Sequence, residues 1–270
     1  YSCAFSVEET QEIKAFAQQH GLTLNTVIQG AVGLVLKTYT QQEEVVLGVI
    51  VSGRSIDLPR AEDMVGLFIN TLPLKITSQP TEDTLTFLKI LQEQTQRLCD
   101  YAYPSLAQIQ SWSGINQSLF DVTFVFENYP FDEEIHNTAS DFSIKEFHVI
   151  EKTEYPLAVI VVPGNQIHLT LRYQTEHFNE EILKRFSDHI RAALQEFLYQ
   201  SKENPHELPL LTEAENHQLL IEWNDTKADY PEDKMIHQLF EEQVKQNPDS
   251  IVVVYENEEL TYQQLNERAN

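Results

Sequence analysis

The chain has 270 residues, of which 41% are hydrophobic and 22% charged, a composition typical of a folded globular protein. Its 42 acidic and 18 basic residues give a net charge of -24, which argues against a nucleic-acid partner because such partners are bound through Lys and Arg. No apolar stretch approaches the ~18 residues of a membrane span, so we expect no membrane partner. The length suits one large domain, or one domain and part of a second.

The N-terminal sequence is YSCAFSVEETQEIKAF, without an initiator Met and without the basic start and apolar core of a secretory signal. We therefore expect a piece of a longer chain. The cysteines, Cys3 and Cys99, lack metal-ligand spacing and are too few for a disulfide framework. This usage favours a cytoplasmic location.

The first 53 residues predict two strands and two helices. YSCAFSV alternates like a strand, and Ser6 with Glu9 forms a capping box for a helix that Gly21 ends. TLNTVIQGAVGLVLKTYT predicts a buried helix whose glycines, Gly30 and Gly33, indicate close approach of another backbone. EEVVLGVIVSG predicts a central strand covered on both faces.

The next 150 residues mix helices with strands. TEDTLTFLKILQEQTQRLCDYA and NEEILKRFSDHIRAALQEFLYQ predict amphipathic helices, the second capped by Asn179, while YPSLAQIQSWSG between them indicates core and turn. LFDVTFVFENYP, FSIKEFHVIE, YPLAVIVVPG and QIHLTLRYQ predict strands, and a PGN turn joins the last two as a hairpin. Several antiparallel pairs and no simple βαβ repeat predict a two-layer α/β sandwich over residues 1–202.

Residues 203–230 have the pattern of a structured linker that packs on its neighbours rather than a flexible one. The apolar residues that predict this burial are Leu208, Leu210, Leu211, Leu219, Leu220, Ile221 and Trp223. Residues 231–270 then predict a helix, a strand, an NEE turn and the start of another helix. We expect this last part to be an incomplete unit.

Several of these segments resemble one known family. VVLGVIVSGRS, MVGLFINTLPLKI, YPSLAQIQ and LFDVTFVFENYP together are similar to the C-terminal half of a condensation domain from nonribosomal peptide synthetases. LPLLTEAENHQLLIEWNDT resembles the linker after such domains, and ELTYQQLN resembles the first core motif of an adenylation domain. The resemblance implies a C-terminal condensation lobe over 1–202, an inter-domain linker over 203–230 and a truncated adenylation start over 231–270. It also implies a chloramphenicol-acetyltransferase-like fold, in which two lobes in a V enclose a tunnel.

The resemblance implies amide-bond formation in that tunnel, between an acyl or peptidyl thioester and an aminoacyl thioester held on the phosphopantetheine arms of peptidyl carrier domains. The family's signature, a His-His pair followed by Asp-Gly, lies in the N-terminal lobe. Here no two of the nine histidines are adjacent and no Asp-Gly occurs, so we expect no catalytic residue, no metal, no bound cofactor and no activity of this chain alone. The implied partners are the N-terminal lobe, the adenylation domain and the peptidyl carrier domains.

Two other interpretations fit parts of the sequence. A non-catalytic lobe that scaffolds the adjacent adenylation domain fits the apolar residues of the linker equally well. A free-standing acyltransferase of the same fold is disfavoured by ELTYQQLN, which resembles an adenylation start. The run Asn-Thr-Leu-Pro, which epimerisation relatives lack, favours condensation over epimerisation.

Five residues are candidates for the tunnel wall: Arg54, Asn70, Thr71, Asp121 and Asn128. Arg54 follows a buried strand, where it either contacts the tunnel or a phosphopantetheine arm, or ties to one of the acidic neighbours Asp57, Glu62 and Asp63. The tie is the favoured reading. Asp121 and Asn128 flank a strand whose polar residues lie near the active site in the family, and Asn128, which precedes Tyr129 and Pro130, suits a turn equally well.

Asn70 and Thr71 interrupt an apolar run in the segment that resembles the family's crossing from the C-terminal lobe to the other lobe. A polar pair there either satisfies backbone groups of an irregular crossing or faces the tunnel. Pro73 favours the structural role, because proline in sheets is confined to edges and bulges.

Overall fold

The computed structural model describes residues 1–54, 60, 63–79, 81–127, 154–205, 207–229, 231 and 233–270. These form two compact units, Tyr1–Asn216 and His217–Asn270. The strands are β1 (Ser2–Ala4), β2 (Glu44–Val51), β3 (Asn70–Thr77), β4 (Val122–Phe126), β5 (Leu157–Val162), β6 (His168–Tyr173), β7 (Ile251–Tyr255) and β8 (Glu258–Thr261). The helices are α1 (Val7–His20), α2 (Leu24–Thr40), α3 (Thr84–Cys99), α4 (Leu106–Ser113), α5 (Glu180–Tyr199), α6 (Glu213–His217), α7 (Ile236–Gln246) and α8 (Tyr262–Ala269), with a π-helical turn at Gln218–Glu222.

The first unit is built on a six-stranded mixed sheet with the order β1-β6-β5-β4-β2-β3. The pairs β1/β6, β5/β6 and β2/β3 are antiparallel, whereas β4 runs parallel to both β2 and β5. Mixed α/β structure with antiparallel pairs agrees with the sequence prediction, and β5 and β6 form the expected hairpin. Pro73 lies on β3 at the sheet edge, where a strand tolerates a residue without an N–H. The predicted strand FSIKEFHVIE lies outside the described residues.

The helical layer is organised around α2, which is buried around most of its surface as its sequence predicts. It contacts α1, α3 and α5 and lies against β2. A Cβ at Gly30 would lie 2.4 Å from Leu88 Cδ2, and one at Gly33 would lie 2.6 Å from Ile76 Cδ1. These glycines therefore admit side chains of α3 and β3, and the expectation of a backbone neighbour is wrong.

Local signals place the helix ends where the sequence predicts them. Ser6 Oγ accepts from the N–H of Glu9 at 3.1 Å, the Glu9 carboxylate accepts from the N–H of Ser6 at 2.7 Å, and Gly21 ends α1 at φ 67°. Asn179 caps α5 by accepting from the N–H of Ile182 at 2.9 Å.

YPSLAQIQSWSG departs from its prediction as core and turn. Its centre is the helix α4, which has its own capping box of Ser105 and Gln108 and no buried residue. The aromatic side chains on and before α4 are exposed: Tyr101, Tyr103 and Trp112. The spacing of Ser105 and Gln108 is the sequence signal that marks the start of this helix.

One hydrophobic core fills the space between the sheet and the helices, with β5 and the inner face of α5 at its centre.

The start of the predicted linker belongs to this core, because Leu208 and Leu210 are buried there. The N–H groups of Thr84 and Leu85 also donate to the carbonyls of Glu203 and Ser201 at 2.9 and 3.2 Å, which caps the start of α3. The later apolar residues of the predicted linker are exposed in this chain: Leu211, Leu219, Leu220, Ile221 and Trp223.

The second unit is a two-stranded antiparallel sheet of β7 and β8, with α8 against both strands and α7 against α8. The rings of Phe240 and Tyr262 meet at 5.8 Å between their centroids. In the described part of this unit none of the helices or strands contains a buried residue. Across both units, no described helix has the length and apolarity to cross a bilayer.

Candidate functional site

The structure brings most of the candidate residues to one edge of the sheet. Val51 at the end of β2 pairs with Asn70 at the start of β3, and Arg54 follows three residues after Val51. Because β4 runs parallel to β2, its carboxyl end lies at the same edge. We call this region, formed by the end of β2, the start of β3 and the end of β4, the β2 edge. The name refers to one end of the strands and not to an edge strand of the sheet. Asn128 follows β4 in sequence but lies outside the described residues.

Asp121 is not part of this group. It precedes β4, and the five residues of that strand span about 16 Å at about 3.3 Å per residue. Its carbonyl accepts from the N–H of Leu157 at 3.3 Å, and the residue is exposed. Asp121 therefore lies at the opposite edge of the sheet from Arg54 and Asn70.

Arg54 organises the irregular segment that leads into β3. Its Nη1 donates to the Met64 carbonyl at 2.9 Å and its Nη2 to the Gly66 carbonyl at 3.4 Å. The guanidinium also lies over the Phe68 ring, 4.5 Å from the centroid. The planar fork of arginine suits this combination of two carbonyls and an aromatic face.

The acidic tie favoured for Arg54 concerns three neighbours. One of them, Asp63, forms an exposed ion pair with Arg60 at 3.0 Å. The other two, Asp57 and Glu62, lie outside the described residues.

The backbone between β2 and β3 requires a glycine at Gly53. It has φ 65°, a left-handed conformation, and a Cβ built on it would lie 1.9 Å from the Phe68 carbonyl oxygen. Backbone therefore contacts backbone where the chain after β2 meets the chain before β3.

The organised segment presents apolar side chains outward. Val65, Leu67 and Ile69 are 104%, 89% and 52% exposed. Exposed apolar side chains are unremarkable when scattered, but a cluster held in a defined backbone indicates a surface that a partner covers. We call residues 64–69 the apolar segment.

Asn70 and Thr71 have different surroundings because successive residues of a strand face opposite sides of the sheet. Asn70 shares the core-facing side with Leu72, and its Nδ2 donates to the carbonyls of Ala102 and Pro104 at 2.8 and 2.7 Å. Its Oδ1 accepts from the N–H of Thr71 at 2.9 Å. Asn70 thus satisfies backbone of the irregular chain between α3 and α4, while half-buried Thr71 faces the other side of the sheet.

Chemically, the described part of the β2 edge offers a guanidinium, an amide, a hydroxyl and apolar side chains. It holds no nucleophile paired with a base, and the described residues contain no group of His, Cys, Asp and Glu suited to a metal ion. Such a surface can position a bound molecule or a partner. It is not equipped to move a proton by itself.

A shallow pocket between α1 and α5 has apolar walls and one ion pair. Glu9 and Arg191 line it and bond to each other, and Arg191 also lies over the Phe5 ring at 4.4 Å from the centroid. Burial alone would raise the pKa of Glu9, but hydrogen bonds from Arg191 and Ser6 outweigh burial and hold this pKa below its usual value. The pair joins two helices and leaves the pocket without a reactive group.

A hydroxyl–imidazole–carboxylate chain lies elsewhere in the first unit, and sequence reasoning missed it. Tyr39 Oη is 2.9 Å from His189 Nδ1, and His189 Nε2 is 2.9 Å from Glu215 Oε2. Burial raises the pKa of the Tyr39 hydroxyl, so the phenol stays protonated and is not an activated nucleophile. The capping-box spacing of Thr212 and Glu215 is the one sequence signal that points to this place.

Comparisons with known proteins agree on a family. A family model described as "Condensation domain" matches residues 1–220. One of the proteins that make up the linear gramicidin synthase of Brevibacillus parabrevis is 40% identical over 271 residues, which cover 100% of this chain and 4% of that protein. Gramicidin S synthase 2 of Aneurinibacillus migulanus is 36% identical over 275 residues, which cover 99% of this chain and 6% of that protein.

Solved structures agree on the fold. A four-domain nonribosomal peptide synthetase bound to AMP and glycine matches with a TM-score of 0.78 at 14% identity, over 98% of this chain and 21% of that one. The first condensation domain of the CDA synthetase matches with a TM-score of 0.61 at 16% identity, over 78% of this chain and 48% of that one. At these identities the likeness concerns the fold alone.

The first unit is a mixed α/β structure on a six-stranded sheet, and most of the candidate residues lie at its β2 edge. With the family match and the relatives above, the chain belongs to the condensation-domain family of nonribosomal peptide synthetases. It spans 4% and 6% of the two curated relatives described above, and about half of the solved condensation-domain chain.

Proposed function

We propose that residues 1–202 form the C-terminal lobe of a condensation domain and supply one wall of the tunnel in which an amide bond is made. The observation that carries this proposal is the extent of the structural match. About three-quarters of this chain corresponds to 48% of a solved condensation-domain chain, which leaves room there for a second lobe of similar size. The substrates are an acyl or peptidyl thioester and an aminoacyl thioester on the phosphopantetheine arms of peptidyl carrier domains. The chain itself binds no cofactor.

The apolar segment is the surface that we assign to the N-terminal lobe. Val65 and Leu67 project from a backbone that Arg54 holds through two carbonyls and Gly53 holds through a close contact. A surface ordered before binding loses less conformational entropy when the partner docks. Arg54 is then a positioning residue of the interface between the lobes.

The tunnel wall near the β2 edge has a positioning role in this proposal. Holding two tethered reactants in line is itself a large contribution to rate, and a wall of amide, hydroxyl and guanidinium groups suits it. Arg54, Thr71 and Asn128 remain our candidates for the wall, whereas the Asn70 amide is engaged by backbone groups and Asp121 is set apart by the length of β4. The paired histidines of the family come from the N-terminal lobe.

The remainder of the chain connects this lobe to the next domain in our proposal. We assign 203–230 to the inter-domain linker and 231–270 to the start of an adenylation domain. A four-domain synthetase matches 98% of this chain, which extends the likeness beyond the condensation family model. The exposed apolar residues of β7 support an adenylation partner, because they need a covering surface: Ile251, Val253, Val254 and Tyr255.

The test is reconstitution. The 270-residue chain is combined with a separately produced N-terminal lobe of its own synthetase and with two loaded carrier domains, and the dipeptidyl product is measured by mass spectrometry. We expect product only when both lobes are present, and a loss of about tenfold or more for the double variant Val65→Asp and Leu67→Asp, since buried charges at an interface are costly. Ile115→Asp, at another exposed apolar site of the same unit, is the matched control.

Two outcomes contradict the proposal in different ways. Product from the chain with carriers alone would mean that it holds its own catalytic groups. Binding of the N-terminal lobe and of the adenylation domain without any product would favour the non-catalytic scaffold. Equal effects of the Val65/Leu67 and Ile115 variants would remove only the assignment of the apolar segment.

A further inference from the structure

Three elements that are distant in sequence meet at His189. The ring lies on α5 and is 6% exposed, with Tyr39 of α2 on one nitrogen and Glu215 of α6 on the other. The Tyr39 ring also packs edge-on against Phe186 of α5, 5.7 Å between centroids. An imidazole bonded through both nitrogens holds its two partners at a fixed separation.

Glu215 is the end point of this chain of bonds. Its Oε2 accepts from the N–H and the Oγ1 of Thr212, both at 2.9 Å, and from His189 Nε2, while Arg185 Nε lies 3.5 Å from its Oε1. Burial would raise the pKa of Glu215, but hydrogen bonds from Thr212 and His189 prevail and lower it, so the carboxylate is charged at neutral pH. A carboxylate only accepts, so in the neutral ring Nε2 carries the proton and the Tyr39 hydroxyl donates to Nδ1.

Glu215 lies at the point in the chain where the first compact unit ends. Thr212 and Glu215 form the capping box that starts α6, and the first compact unit ends at Asn216, one residue after Glu215. Leu210 is buried nearby in sequence, whereas Leu211 and the apolar residues after His217 are exposed. The last firm attachment of this segment to the lobe is therefore polar and runs through His189.

We propose that Tyr39, His189 and Glu215 form an anchor that locks residues 212–216 onto α2 and α5 and so fixes where the chain leaves the condensation lobe. His189 acts as a positioning residue for the linker, not as a catalytic residue. The carboxylate both caps α6 and receives the imidazole, so helix formation in the linker and attachment to the lobe depend on the same side chain. The first part of the predicted linker is in this view a component of the lobe.

Amide hydrogen exchange of the 270-residue chain tests the anchor. In the variant His189→Leu the capping box and the contact of Arg185 with Glu215 remain, but the imidazole bond between α5 and α6 is lost. We expect exchange at the amides of Thr212, Glu215 and Asn216 to rise about tenfold, while amides of β5 change less than about threefold, because local opening is separable from global unfolding. Ser187→Ala, which removes another buried polar group of α5, is the control and should leave residues 212–216 unchanged.

A second pair of variants keeps the inference testable if His189→Leu fails to fold. Glu215→Ala should free residues 212–216, whereas Glu213→Ala, at an exposed position of the same short helix, should not. Where His189→Leu does fold, exchange in the double variant His189→Leu and Glu215→Ala should be no faster than in Glu215→Ala, since Glu215→Ala already removes the bond to His189. Equal exchange in the Glu215 and Glu213 variants, or a rise in β5 as large as that in 212–216, would overturn the anchor.

Discussion

The two compact units of the chain differ in what holds them together. Residues 1–216 surround a continuous core in which β5 is buried on both faces and to which the helices α1, α2, α3 and α5 contribute buried side chains. In residues 217–270, β7 is as apolar in sequence as β5, yet no described helix or strand there has a buried residue. Similar strand sequences therefore end in opposite environments.

This difference shows that apolar sequence alone does not stabilise a unit. Burial contributes roughly 25 cal/mol per Å² of apolar surface removed from water, and a two-stranded sheet with one helix against it removes little. We therefore expect the first unit to fold by itself and the second to gain stability only against a further surface. The adenylation partner in our proposal would provide that surface.

The largest expected effect is the loss of stability when a buried side chain of the first unit is removed, compared with the removal of an exposed side chain of the second. Phe197 is fully buried on α5, and Phe197→Ala should lower the free energy of unfolding of the first unit by about 3–5 kcal/mol. Val254→Ala, on exposed β7, should change the free energy of unfolding of its own, second unit by less than about 0.5 kcal/mol. Urea unfolding followed by circular dichroism measures both. A large effect of Val254→Ala would mean that the second unit has a core of its own.

An intermediate effect is expected at the β2 edge, where backbone contact replaces side-chain packing. Gly53→Ala places a Cβ against the Phe68 carbonyl in a left-handed conformation, and we expect a loss of about 1–3 kcal/mol. Gly66→Ala is the matched control in the same region, because its Cβ would meet the Phe68 ring at 3.5 Å, an ordinary contact. The midpoints of urea unfolding of the two variants measure this difference in stability. Equal midpoints of the two variants would show that the chain at Gly53 is not in close contact with the Phe68 carbonyl.

The smallest expected effect concerns the ion pair of the first unit. The folded pKa of Glu9 is lowered, so its stabilisation is fully present above the unfolded pKa of about 4.3 and is lost as pH falls below that value toward the folded pKa. Glu9→Gln should therefore be less stable than the parent at pH 7, and the difference should shrink by about pH 3. Stability measured against pH checks this, and a difference that stays constant down to pH 3 would contradict it.

Local chemistry predicted much of the fold. The capping box of Ser6 and Glu9, the Gly21 stop and the Asn179 cap located helix ends, because these signals act within one helical turn. Pro73 indicated a strand edge for an equally local reason. The glycines of α2 were misread because sequence shows that space is needed, but not whether backbone or side chain fills it.

The candidate site was harder to predict because the positions of its residues depend on which strands pair and in which register. The register of β2 and β3 places Arg54 and Asn70 at the same end of the strands, and the parallel direction of β4 places Asp121 at the opposite end. None of these relations is local in sequence. His189 and Glu215 were missed for the same reason, since their contact requires α5 and α6 to be placed first.

Hydrogen exchange across the whole 270-residue chain, with residues resolved by NMR, tests the contrast between the units most directly. We expect amides of β5 to exchange only through global unfolding of the first unit. Amides of β7 and β8 should exchange at least about a hundredfold faster, since their hydrogen bonds open locally at little cost. Equal protection of β5 and β7 in the chain without a partner would contradict the claim that the second unit lacks a core of its own.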